Sequence, residues 1–374
     1  MYIKNGLVFH HESGFQKEEL KLADGRIEKI SSGMKISENE ETIDADGCYV
    51  LPGLVDIHFH GCAGHDFCEG TEEAIRVIEQ YEAEHGITTI CPATMTLSKE
   101  RLLQICHTAA EYDSRFLKGI HLEGPFLSEA KKGAQNAAYL QLPDAGLLRE
   151  LKEASGNLVK LVSIAPELEG AMECIKECST QVQFSVAHTE ADYETALQAM
   201  KLGASHVTHL YNAMPPFSHR APGVVGAAFD SGADVELICD GIHIAPAVVR
   251  ATFCLFGEAH VVLISDSMMA TGMPDGAYEL GGQPVNVKGN LATLADGTIA
   301  GSATNLYDCM VSAIHMGVDP KAAVRAATYN PARSVGLEQV CGSIQEGMPA
   351  DLLIVTKDWK LRNVIKCGEK WKSE

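Results

Sequence analysis

Residues 54–60 read Leu-Val-Asp-Ile-His-Phe-His, and residues 87–95 read Ile-Thr-Thr-Ile-Cys-Pro-Ala-Thr-Met. Both runs are apolar, rich in β-branched side chains, too short for helices, and followed by amphipathic stretches. Each therefore reads as a buried parallel strand feeding a crossover helix. The same pattern returns at 117–123, 159–166, 182–188, 205–210, 235–241 and 260–266. Eight strand–helix repeats specify an α/β fold of the (β/α)8 TIM barrel type.

Between the strands, 72–85, 99–112 and 190–202 carry apolar residues at three and four spacing, and Ser98 is placed to cap the second of these helices. After the eighth strand, 276–301 is rich in Gly, Asn and Val and reads as hairpins that could shield a site. Helical patterns return at 307–316 and 320–327. Residues 1–52 have a different pattern, in which Asn5-Gly6, Asp24-Gly25 and Asp46-Gly47 are strong hairpin signals. The segment 336–374, with Glu346-Gly347 and the apolar run at 352–355, shares that pattern. The expected organisation is a small β-sandwich domain, 1–52 plus 336–374, beside a barrel at 53–335.

The chain has 374 residues, 46% hydrophobic and 21% charged. That exceeds the ~250–300 residues at which a single core stops growing, and leaves little room for disorder. Thirty Lys and Arg against fifty Asp and Glu give a net charge of −20, which repels polyanions and argues against nucleic acid or an anionic membrane as partner. A small anion is still admissible where an Arg stands in a cleft. The first residues carry no leader pattern, and no charge-free apolar run reaches the ~18 residues of a membrane span. Twelve Cys without a C-x-x-C pair read as reduced core thiols. A cytoplasmic protein is expected.

The chemistry falls at the strand ends. His58 and His60 close the first strand, Glu123 the third, His188 the fifth, His209 the sixth and Asp266 the eighth, where barrel enzymes build their sites. His58 and His60, two residues apart, share a face and can reach one ion. Any one of these histidines alone would be ordinary in a chain with fifteen; their joint placement is not. Imidazole with carboxylate suits zinc, iron or manganese better than calcium or magnesium. A bound divalent ion acidifies its water and polarises a carbonyl, which makes hydrolysis the natural reaction class. Asp266 is the candidate for taking that water's proton and delivering it to a leaving nitrogen. His206, three residues before His209, reads as structural and on the opposite strand face.

These motifs resemble the amidohydrolase superfamily and, within it, the N-acetylglucosamine-6-phosphate deacetylases, across essentially the whole chain. The resemblance is carried by Leu51-Pro52-Gly53-Leu54-Val55-Asp56 leading to His58-x-His60, by His121-Leu122-Glu123-Gly124-Pro125, and by Ala187-His188-Thr189. It continues through His209-Leu210-Tyr211-Asn212-Ala213-Met214, Asp240-Gly241-x-His243 and Ser265-Asp266. It implies that Glu123, His188 and His209 hold a principal metal, and that His58 and His60 with Glu123 hold a second where one is present. One or two ions per subunit are thus expected, zinc first, iron or manganese as alternatives.

The resemblance also implies that Asn212, the backbone at Ala213, Arg220 and His243 bind a sugar 6-phosphate, with Arg220 reaching across the interface of a homodimer. In some members a His follows the segment corresponding to Lys131-Lys132-Gly133 and touches the acetamide carbonyl. Here Gln135 stands in its place, an amide that can still donate to a developing oxyanion. The implied reaction is hydrolysis of N-acetylglucosamine 6-phosphate to glucosamine 6-phosphate and acetate. The alternatives are the galacto epimer, another amidohydrolase reaction, or a non-catalytic scaffold that binds a sugar phosphate.

Overall fold

All eight runs form parallel strands in the computed structural model, which describes residues 1–37 and 39–371. The first, Leu54–Asp56, pairs with Ile87–Ile90. Pro92 has no N–H to donate and splits the second strand, whose other half, Ala93–Thr94, begins a seven-stranded sheet. That sheet continues through Ile120–Leu122, Val159–Ile164, Gln183–Val186, Ala204–Val207, Asp234–Ile238 and Val261–Ile264. The ring closes where Asp266 N–H donates to His58 O at 2.9 Å and His60 N–H to Ser267 O at 2.7 Å. The fold is a (β/α)8 barrel joined to a small β-sandwich.

The strands are shorter than the sequence pattern predicts, and the loss is mainly at their C-terminal ends, although the third also starts three residues late, at Ile120. His58, His60, Glu123, His188, His209 and Asp266 all lie just beyond the hydrogen-bonded ladder. His188, His209 and Asp266 take left-handed backbone angles, with φ of 43°, 29° and 49°. For a non-glycine residue this costs about 1–2 kcal/mol, which the surrounding fold sustains at three positions around one opening.

Inside the barrel, Val55, Ile57, Leu161, Ile238, Val262 and Ile264 form an apolar cluster closed at one end by Ala332, Val335, Leu337 and Cys341. Ser163 follows Leu161 by two and Glu236 precedes Ile238 by two, so both face the same interior. A polar layer results: His121 Nε2 meets Ser163 Oγ at 2.8 Å, and Thr208 Oγ1 meets Ser163 and Ser185 at 3.0 and 2.6 Å.

In the smaller unit, Leu352–Thr356 lies antiparallel between Cys48–Pro52 and Leu361–Lys366, in a six-stranded sheet that also holds Leu7–His10 and Gly14–Lys17. Alternation explains the continuous apolar run. Leu352 and Ile354 pack on the second sheet through Ile3, Leu20, Leu22 and Ile27, while Leu353 and Val355 join the main core. Of the three hairpin signals, only Asp24-Gly25 makes one, joining Glu19–Ala23 to Arg26–Ser31 with φ of 49° and 74°. Asn5-Gly6 and Asp46-Gly47 instead turn corners between strands of different sheets, a distinction that dipeptide chemistry does not encode. Gly53 marks the crossing into the barrel, where a Cβ would sit 2.0 Å from Thr88 Oγ1.

Helices Glu72–Glu84, Lys99–Glu111 and Tyr193–Leu202 form as expected, and Ser98 caps the second by accepting from Arg101 N–H. The third starts later than its pattern because Asp192 caps it, accepting from Thr195 N–H. The insertion after the eighth strand is a three-stranded antiparallel sheet, Gly276–Leu280, Gln283–Lys288 and Leu291–Thr293. Gln283 Nε2 ties it to Ala134 O.

Glu82 is fully buried and makes no hydrogen bond of normal geometry; the Cys62 thiol is its polar neighbour. Burial, reinforced by the Asp56 carboxylate, pushes its pKa well above the carboxylate range. The unfolded chain releases this proton near pH ~4.3, whereas the folded chain keeps it to much higher pH. Over that window the folded state binds more protons, so stability falls as pH rises. Glu82→Gln is expected to raise Tm by several degrees at pH 8 and by little near pH 4. Melting curves for the two proteins that stay parallel across this range would refute the assignment.

Candidate metal centre

Glu123 follows the third strand and is 3% exposed. Its Oε1 lies 3.3 Å from His58 Nε2, 3.2 Å from His188 Nε2 and 3.1 Å from His209 Nε2, and its Oε2 lies 3.2 Å from His60 Nε2. Asp266 Oδ1 is 3.4 Å from His60 Nε2 and 3.8 Å from His58 Nε2. Three buried groupings among the described residues have the spacing of a cation site, and two of them meet at this point, Glu123 with His188 and His209, and His58 with His60 and Asp266.

The donor atoms fit a divalent ion. His188 Nδ1 donates to Lys131 O at 2.7 Å, so Nε2 is the ring atom that faces inward and would ligate an ion. His188 Nε2 and His209 Nε2 are 3.1 Å apart, and His58 Nε2 is buried without a hydrogen-bond partner. Ring nitrogens and carboxylate oxygens aimed at common points are the mixed donor set that zinc, iron and manganese favour.

Electrostatics agree. Burial would raise the pKa of Glu123, but His58 together with hydrogen bonds from His188 and His209 holds it well below the usual range. Burial acts the same way on Asp266, and His60 and His58 outweigh it, so this carboxyl also stays ionised. Burial would lower the pKa of His60, yet Asp266 and Glu123 raise it to about 10. The same attraction for positive charge would hold a dication, which must displace any proton resting there.

These groups open on a cavity of about 400 Å³ whose lining includes His60, Glu123, His188, His209 and Asp266. Larger surface grooves of about 860 and 1300 Å³ contain none of the candidate ligands, so chemistry rather than size identifies the site. Leu280, Thr298 and Ile299 form part of the cavity wall, so the insertion does cover it.

Asn212, Ala213 and His243 also line the cavity. His243 Nδ1 meets Asp240 Oδ2 at 2.7 Å. Burial would lower the pKa of His243, but Asp240 raises it, which favours a protonated ring beside an anion. The Asn212 amide nitrogen is turned onto His209 O and Leu210 O at 3.1 and 3.3 Å. Arg220 is exposed on the loop beyond Met214 and is not among the cavity-lining residues.

Two readings of the sequence need correction. Gln135 reaches the cavity, but its amide is occupied: Nε2 donates to Glu123 Oε2 at 2.7 Å and to Met95 Sδ at 3.7 Å, and Oε1 accepts Thr96 N–H at 2.7 Å. It steadies a carboxylate instead of offering a free donor to an oxyanion. His206 does not face away from the site, since its buried Nε2 meets Glu236 Oε1 at 3.1 Å, and that carboxylate also contacts His58 and His209. Sequence reasoning misses Glu236 itself. Its signal is a lone charge inside the apolar run Val235-Glu236-Leu237-Ile238, since a charged residue is seldom fully buried unless paired.

Residues 49–369 match the amidohydrolase family. An N-acetylglucosamine-6-phosphate deacetylase of Bacillus subtilis is 36% identical over 352 residues, covering 90% of this chain and 88% of the relative. An N-acetylgalactosamine-6-phosphate deacetylase of Escherichia coli O157:H7 is 31% identical, covering 96% of each. Among solved structures, an N-acetyl-D-glucosamine-6-phosphate deacetylase mutant of Mycobacterium smegmatis, in complex with N-acetyl-D-glucosamine-6-phosphate, aligns with a TM-score of 0.92 at 32% identity. The alignment covers 99% of this chain and 98% of that one.

Proposed function

The chain belongs to the amidohydrolase family, and from that premise we propose that it hydrolyses N-acetyl-D-glucosamine 6-phosphate to D-glucosamine 6-phosphate and acetate, a step of amino-sugar metabolism. The observation that carries the chemistry is the convergence of His60, His188, His209 and two carboxylates on one cavity, with His58 buried against the same carboxylates. The substrate is the one named for the curated relatives.

Glu123, His188 and His209 would hold the principal divalent ion, and His58 and His60, beside Glu123 and Asp266, a second. Zinc suits this donor set best, with iron and manganese as alternatives. When bound, such an ion activates water and polarises the acetamide carbonyl. Asp266, ionised at neutral pH, accepts the water's proton and returns it to the departing amine nitrogen as the C–N bond breaks and the C–O bond forms. Gln135 holds Glu123 in place. The Ala213 backbone and His243 take the 6-phosphate, joined by Asn212 when its amide turns from the His209 and Leu210 carbonyls, with Arg220 added from the neighbouring subunit of a homodimer. The exposed place of Arg220 outside its own cavity supports that reading.

A cytoplasmic location is the companion reading. It is supported by twelve unpaired cysteines, most of them buried; no described helix is long and apolar enough to cross a membrane.

The test is acetate release from the gluco and galacto N-acetylhexosamine 6-phosphates and from unphosphorylated N-acetylglucosamine. The expected order places the gluco phosphate first, with kcat/KM for the unphosphorylated sugar lower by roughly 10²-fold or more, the scale of losing two charge-assisted phosphate contacts. Equal rates with and without phosphate would remove His243 and Arg220 from the proposal.

A further inference from the structure

Glu236 occupies the middle of the seventh strand, Asp234–Ile238, with no solvent exposure, and no step of the proposed hydrolysis uses it. Burying a carboxylate is costly unless donors surround it, and a barrel interior ordinarily takes a branched apolar side chain at such a place. Here three donors are supplied. Oε2 receives His58 Nδ1 at 2.7 Å and the His209 backbone N–H at 3.0 Å, and Oε1 faces His206 Nε2 at 3.1 Å.

An ionised carboxylate can only accept. The contact therefore keeps a proton of His58 on Nδ1, so that Nε2 is the atom left to offer a lone pair once an ion displaces the inner proton, and Nε2 is the atom that points at Glu123 and Asp266. The same oxygen fixes the backbone where His209 leaves the sixth strand at φ 29°. His58 and His209 belong to different ligand groupings, so one carboxylate below the cavity fastens a member of each. His58, His121 and Glu236 are also close enough to suggest a further cation cage. But His58 Nδ1 already bonds Glu236 and His121 Nε2 already bonds Ser163, so this trio is a support.

We infer that Glu236 is a positioning residue for the metal centre, setting the tautomer and ring direction of His58 and the placement of His209. The inference rests on the proposed function only in taking those two histidines as metal ligands. It acts through them and touches no substrate.

The experiment measures zinc binding to Glu236→Ala, Glu236→Gln and Ser163→Ala by chelator competition, with bound metal read by mass spectrometry. Loss of an outer partner of this kind weakens metal binding by roughly 10–100-fold. Glu236→Ala is expected near the upper end. Glu236→Gln, whose amide oxygen keeps one acceptor for His58, is expected near the lower. Ser163→Ala removes a member of the same polar layer that contacts no proposed ligand, and its zinc affinity should match the parent's. Zinc affinity within about two-fold of the parent for the Glu236 variants overturns the inference; should Glu236→Ala not fold, Glu236→Gln decides by the same criterion. A parent that binds zinc but releases no acetate would sink the proposed hydrolysis while leaving this readout intact.

Discussion

Asp266→Asn is expected to keep its metal and lose turnover by roughly 10²–10⁴-fold, the range for removing a positioned acid–base group. The residue is 7% exposed, and the loop carrying it is held by Asp266 N–H to His58 O and Ser302 N–H to Asp266 O. Asn is nearly isosteric, so this backbone frame should persist. Glu123, His188 and His209 are untouched, which keeps the principal ligands. What disappears is the capacity to hold a proton: the parent carboxyl stays ionised because His60 and His58 outweigh its burial, and an amide cannot accept one. The measurement is kcat at saturating substrate alongside zinc content. A variant that turns over at the parent rate would end the assignment of Asp266 as proton carrier.

Glu123→Gln should have the larger effect on the site as a whole, because its carboxylate is the one group that all four imidazoles approach, at 3.1–3.3 Å. Removing its charge takes a ligand from the principal position and a neighbour from the second. The expected protein is purified without metal and is inactive. Zinc should stabilise the parent by about 4 kcal/mol when supplied at a thousand times its dissociation constant, raising Tm by several degrees over the chelator-treated form. In Glu123→Gln that difference should vanish. Retention of the parent's zinc content and Tm shift would show that Glu123 is not a ligand, and would move the centre onto His58, His60 and Asp266.

The barrel was legible because alternation of buried strand and amphipathic helix is a local pattern, and each of the eight runs did become a strand. Their ends were not legible. Whether Ile87 to Met95 is one strand or two depends on Pro92 and on hydrogen bonds to neighbours far along the chain. The ligand candidates could be read because imidazoles and carboxylates recur at equivalent places in successive repeats. Direction was harder: an amide at Gln135 could serve substrate, but Thr96 N–H and Glu123 occupy both its ends. Strict alternation counted back from His209 turns His206 outward, and it fails because the strand ends at Val207 and His209 takes a left-handed backbone, while His206 and Thr208 both keep to the interior. Glu236 could have been flagged as a lone charge in an apolar run, but its three partners come from two other strand ends and only meet in the closed barrel.

The pairing of Leu353 with Leu51 also sets an order of events during synthesis. The strand Cys48–Pro52 is made early, yet one of its edges waits about 300 residues for its partner, which at ribosomal speeds of ~5–20 residues per second is roughly 15–60 s. Throughout that interval an apolar strand with unpaired backbone groups is open to other chains. Slowing translation late in the message should therefore lower the soluble yield, whereas a circular permutant that begins near residue 340 would deliver both partners together.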